Sequence, residues 1–82
     1  MKVNVKYFAS IREAIGQSSE TVDTQATTAG ALRDELLARG GAYASLARGR
    51  AVRVAIDQVM ARDDAELRDN CELAFFPPVT GG

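Results

Sequence analysis

The chain has 82 residues, 46% hydrophobic and 26% charged, with ten basic side chains against eleven acidic ones for a net charge of −1. That length makes one small domain, which hides only about 60% of the surface of its unfolded chain and leaves no room for a second domain enclosing a cleft. The even charge balance argues against nucleic acid as the main partner, since phosphate binding demands a basic excess on some face.

Lys2 to Phe8 alternates, with Val3, Val5 and Tyr7 on one face and Lys2, Asn4 and Lys6 on the other. This predicts a half-buried strand. Ser10 with Glu13 fits a capping box for a short helix through Ile11 and Ile15, stopped by Gly16. Residues 19–24 are rich in β-branched side chains and predict a second strand. Thr28 caps a longer helix to about Arg39, with Ala29, Leu32 and Leu36 as its apolar stripe and Glu35–Arg39 as an outward pair. Gly40-Gly41 ends it, and Tyr43 to Arg48 offers another helical turn. Residues 51–57 alternate again with Val52, Val54 and Ile56 inward. Asp57-Gln58 turns the chain into a strand over 59–62. Residues 63–70 form a charged connection anchored by Leu67. Residues 71–77 make the last strand, with Cys71, Leu73 and Phe75 inward, and the prolines end its ladder. The order β-(short α)-β-α-β-β-β, with one main helix against one mixed sheet, predicts a two-layer α+β domain over 1–77 and a tail over 78–82. The predicted core is Val3, Val5, Leu32, Leu36, Val54, Ile56, Leu73 and Phe75.

Most chemistry-bearing residues have an ordinary structural explanation. The lone cysteine excludes an internal disulfide and suits a reducing cytoplasm. Cys71 lies inward, with no basic partner near it in sequence, and reads as a buried inert thiol. No histidine occurs, which excludes His-ligated metal and Ser-His or Cys-His catalysis within the chain. Asp63, Asp64 and Glu66 match no EF-hand spacing and read as a solvated loop, so no metal is expected. The glycines make no phosphate-binding loop. Arg48, Arg50 and Arg53 read as surface charge. No apolar run approaches the ~20 residues of a membrane span, and no signal-peptide core is present.

Two features point further. Phe8, Met60 and Phe76 each place one large apolar group on an otherwise polar strand face. If the first and last strands are parallel neighbours, Phe8 and Phe76 share one end. Such a cluster suits a protein interface, though parity alone equally allows a loop or the short helix to cover it. The second feature is Pro77-Pro78-Val79-Thr80-Gly81-Gly82. The prolines stiffen its base. Five residues from Pro78 reach roughly 17 Å when extended. Two glycines pass through a slot too narrow for any Cβ. The tail is suited to delivering its own carboxylate into a partner's active site.

The ending Ala74-Phe75-Phe76-Pro77-Pro78-Val79-Thr80-Gly81-Gly82 closely resembles the C-terminal signature of the molybdopterin synthase small-subunit family. Tyr7-Phe8-Ala9-Ser10-Ile11-Arg12-Glu13 resembles that family's opening strand and helix, and the element order resembles the ubiquitin-like β-grasp. The resemblance covers essentially the whole chain, and its nine-residue ending is far more specific than a bare Gly-Gly. It implies a cytoplasmic sulfur carrier. The Gly82 carboxylate would be adenylated by an ATP-dependent activating enzyme and converted to a thiocarboxylate. Gly81 would give access to the channel of the large subunit. Sulfur would then pass to cyclic pyranopterin monophosphate, building molybdopterin. The implied assembly is a heterotetramer of two small and two large subunits. No bound cofactor, nucleic acid or membrane is implied. Phe8, Met60 and Phe76 match positions that contact the large subunit in the family, and Pro77, Pro78, Val79 and Thr80 would follow the tail into it. The chain departs from the family at Asp57, where asparagine is frequent, and at Asn70-Cys71, where Gly-Asp is frequent. Asn70 tolerates the left-handed turn a glycine would make. Three rivals remain: a thiamin-type sulfur carrier, a ubiquitin-like modifier that ends in isopeptide bonds, and an interaction domain with an inert tail.

Overall fold

The computed structural model describes residues 1–47 and 51–78. Strand β1, Lys2–Tyr7, has the alternation its sequence predicts: Val3, Val5 and Tyr7 are buried, and Lys2, Asn4 and Lys6 face out. It is followed by α1 (Ala9–Ile15), β2 (Ser19–Asp23), α2 (Ala29–Leu37), a 3₁₀ segment (Gly41–Leu46), β3 (Arg53–Ile56), β4 (Val59–Ala61) and β5 (Glu72–Phe76). The elements therefore appear in the predicted order, with ends within two residues of the predicted ones.

The strands form one five-stranded sheet in the order β2-β1-β5-β3-β4. Only the central pair β1–β5 is parallel; β1–β2, β3–β5 and β3–β4 are antiparallel. Its register sets Lys6 beside Ala74 and Tyr7 beside Phe75. One sheet face and the apolar stripe of α2 enclose the core, where Val3, Val5, Leu32, Leu36, Val54, Leu73 and Phe75 are all buried. Ile56 is only half-buried, packed against the rim of that core, because it ends β3 at the hairpin. Cys71 and Leu67 are buried, the latter closing the connection as its anchor.

Helix α2 begins as predicted, with the Thr28 hydroxyl accepting from Ala31 N–H at 3.2 Å. Its next exposed donors are taken by the 63–65 loop: Gly30 N–H reaches Asp63 O at 2.7 Å and Ala29 N–H reaches Ala65 O at 3.0 Å. The predicted capping box of α1 is not formed. Phe8 is the N-cap, without a side-chain cap bond, and Ser10 lies inside the first turn. The corner is closed instead by Ala9 at φ 50° and by Ile11 and Arg12 N–H donating to Phe8 O. The predicted Glu35–Arg39 pair is also replaced. Each residue finds a partner on or just after β2: Glu35 accepts from the Thr24 hydroxyl at 2.6 Å, and Arg39 pairs with Glu20 at 2.8 Å. A tertiary carboxylate competes better than one a turn away on a solvated helix face.

Candidate functional site: an apolar groove at the root of the tail

Where β1 and β5 run parallel, their ends lie together, so Phe8 and Phe76 sit at one end of the sheet. Their rings meet edge to face with centroids 6.5 Å apart. Phe8 remains 43% exposed and Met60 55% exposed. Among the described residues neither the short helix nor a loop covers them, so the exposure that an interface requires is present. Phe75, one residue away, is fully buried and stacked near Tyr7. The alternation of β5 thus assigns one phenylalanine to the core and the next to the open face.

The register completes the floor. Ala55 of β3 pairs with Ala74 of β5 and with Met60 of β4, and Lys6 of β1 pairs with Ala74. One row across the open face therefore reads Lys6, Ala74, Ala55, Met60. The two central alanines are low ground between taller neighbours. The result is a groove of about 490 Å³, walled by Phe8 and Phe76 at one end and by Gln58 and Glu72 at the other. Lys6 Nζ and Glu72 Oε1 lie 3.2 Å apart, so its two wall charges neutralise each other. Parity had singled out the aromatic and methionine walls. That Ala55, Lys6 and Gln58 join these walls escaped it, because strand register is not written in any single strand.

Pro77 is half-buried and Pro78 exposed, directly after β5. Val79, Thr80, Gly81 and Gly82 lie outside the described residues, as do Arg48 and Arg50. Arg53 is exposed on β3. Asp63 of the acidic loop is engaged by the buried Arg33, whose Nη1 lies 3.3 Å from Asp63 Oδ1 and whose Nε donates to Leu46 O at 2.6 Å. Among the described residues, no group of three or more potential ligands could hold a metal, and no helix is long and apolar enough to cross a membrane.

Behind the groove, on the core side, Glu20 anchors a polar cluster. Its carboxylate accepts from Tyr7 Oη at 2.8 Å, Tyr43 Oη at 3.1 Å, Gln17 Nε2 at 2.8 Å and Arg39 Nη1 at 2.8 Å. Desolvation pushes the Glu20 carboxyl up, but hydrogen bonds from Arg39, Tyr7 and Tyr43 together outweigh it and hold the group below its ordinary value of 4.5. Burial, then the bond to Glu20, raises the Tyr7 hydroxyl well above its ordinary range. This cluster ties β1 and β2 to the 3₁₀ segment and stands away from the open face.

A mixed five-stranded sheet packed on one main helix, with a glycine-tipped tail continuing from a central strand, defines the ubiquitin-like β-grasp class. The chain matches the ThiS family over residues 5–82. It is 38% identical to the molybdopterin synthase sulfur carrier subunit of Haemophilus influenzae, over 98% of this chain and 99% of that one. It is 35% identical to the subunit of the same name from Escherichia coli, again over 98% and 99%. The crystal structure of SAMP1 from Haloferax volcanii superposes with a TM-score of 0.79 at 26% identity, covering all of both chains. The chain belongs to the ThiS family of small β-grasp proteins.

Proposed function

We propose that this chain is the sulfur carrier subunit of a molybdopterin synthase. The observation that carries the reading is full-length similarity to two sulfur carrier subunits of that enzyme, joined to an exposed apolar groove at the root of the tail. Gly82 is the working residue. An ATP-dependent activating enzyme joins its carboxylate to AMP with loss of pyrophosphate, and a sulfur donor then displaces AMP to leave a thiocarboxylate. That sulfur is a soft nucleophile needing no base within this chain, which suits a sequence without histidine. Phe8, Met60 and Phe76 dock on the large subunit, while Pro77, Pro78, Val79 and Thr80 lead Gly81 and Gly82 into its active site. There the sulfur passes to cyclic pyranopterin monophosphate, in a cytoplasmic assembly of two small and two large subunits. The chain binds no cofactor of its own.

The decisive assay is conversion of cyclic pyranopterin monophosphate to molybdopterin with activating enzyme, sulfur donor and large subunit present. Deleting Gly82 leaves a carboxylate about 3.3 Å short of its place. Misplacement of ~1 Å can cost on the order of 100-fold where near-attack geometry is required. The deletion is expected to abolish turnover; turnover equal to the intact chain would sink the carrier reading. A modifier reading gains if the protein recovered from cells carries its terminus on lysines instead.

A further inference from the structure

The groove is more selective than an exposed apolar patch. We infer that Ala55 and Ala74 form the floor of a socket that accepts a cluster of bulky, uncharged side chains, such as leucine, methionine or phenylalanine, from the protein that takes the tail. The inference rests on the docking face proposed above and names what that face recognises.

Three observations support it. First, the floor is built by register. Ala55 and Ala74 are direct cross-strand partners in the middle of a five-stranded sheet, and both are nearly sealed, at 6% and 4% exposure, by the taller side chains around them. Larger residues at these two positions would project into the space the walls enclose. Second, the walls lack an unpaired charge. Lys6 and Glu72 satisfy each other, and the remaining walls are Phe8, Phe76, Met60 and the neutral Gln58. A charged occupant would be desolvated without a partner, whereas an apolar one gains contact on every side. A volume of about 490 Å³ is also within the range of small-ligand sites. Such sites need convergent polar groups to orient the ligand, and this face offers only one amide and a self-neutralised ion pair. Third, Phe76 immediately precedes Pro77-Pro78, so the socket and the tail root are continuous. A protein that grips the residues just after Phe76 is within reach of the groove.

The test is calorimetric affinity for the molybdopterin synthase large subunit from the same source. Ala55→Leu raises the floor of the socket and should weaken binding on the order of tenfold, or ~1.4 kcal/mol, through overpacking at the interface. Val59→Leu adds bulk at a position that does not line the groove and should leave affinity unchanged. Because Ala55→Leu could disturb the sheet itself, the same filling is repeated after folding. Ala55→Cys placed in a Cys71→Ser background should bind like the background chain, then lose affinity once its single thiol is alkylated with N-ethylmaleimide, with complete alkylation confirmed by intact mass. If filling leaves affinity intact while Phe76→Ala weakens it, the socket is wrong and the docking face stands. If neither changes affinity, the docking face falls as well. If alkylation and Val59→Leu weaken binding equally, the effect is not that of a socket and the inference fails.

Discussion

Glu20 gathers four donors from three parts of the chain. Its carboxyl is held below 4.5 in the folded protein, so its contribution to stability is present above the unfolded value and is lost as pH falls through the folded one. Glu20→Gln should cost about 1.5–3 kcal/mol at neutral pH, as charge-assisted bonds are lost. It should also flatten the decline in stability below about pH 4.5, which thermal melts of both chains across pH would register. The raised Tyr7 hydroxyl works in the opposite sense. Its contribution is complete below its ordinary value of 10.0 and fades as pH rises above that. The departures from the family pattern also resolve at this scale. Asn70 sits at φ 66° and Asp57 at φ 48°, conformations that asparagine and aspartate tolerate. The Asp57 carboxylate further accepts from Glu72 N–H at 2.9 Å, fixing the start of β5. Asn70→Gly should therefore be neutral or slightly stabilising in a denaturant titration, because its left-handed turn suits glycine at least as well. A loss above ~1 kcal/mol would mean that the Asn70 side chain contributes more than its backbone conformation.

Among the elements, β5 carries the sharpest contrast. Phe75 is fully buried and Phe76 half-buried, although the two are adjacent and chemically identical. Phe75→Ala should cost about 3–5 kcal/mol and leave a domain this small largely unfolded. Phe76→Ala should melt within a few degrees of the parent and lose about 2 kcal/mol or more of large-subunit binding. Equal effects of the two on thermal melting would contradict the assignment of faces. This division was legible in the sequence, since a strand alternates with period two and the inward set of β5 could be counted. The stripe of α2 was legible for the same reason. What escaped was tertiary. Nothing in the sequence sets Arg33 apart, yet it is 3% exposed and fastened to Leu46 and Asp63. The capping box at Ser10 was a sound local motif, but a left-handed Ala9 redirected the chain before it could form. Local propensity loses where tertiary hydrogen bonds and a corner outbid it.

In the whole molecule, topology makes the site. A parallel pairing of β1 and β5 brings opposite ends of the sequence together and places Phe8 beside Phe76. The sequence could name Phe8, Phe76 and Met60, but only the sheet order shows that Ala55 and Ala74 join them on one surface. Pro77 and Pro78 follow β5 directly at that surface, so on the proposed reading docking and delivery belong to one strand and the residues after it. This separation predicts that the tip can be altered without loss of fold or docking. Gly81→Ala adds one methyl group; it should leave the melting temperature and large-subunit affinity unchanged while cutting molybdopterin formation at least tenfold. Full activity would show that the partner's channel does not demand glycine there. The central claim is that sulfur rides on Gly82, and intact-mass spectrometry with fragmentation tests it most directly. The chain is incubated with ATP, the activating enzyme and a sulfur donor, then measured. The account predicts a mass gain equal to one sulfur replacing one oxygen, confined to the fragment ending at Gly82 and absent without ATP. An unchanged mass, or a gain placed on Cys71, would contradict it.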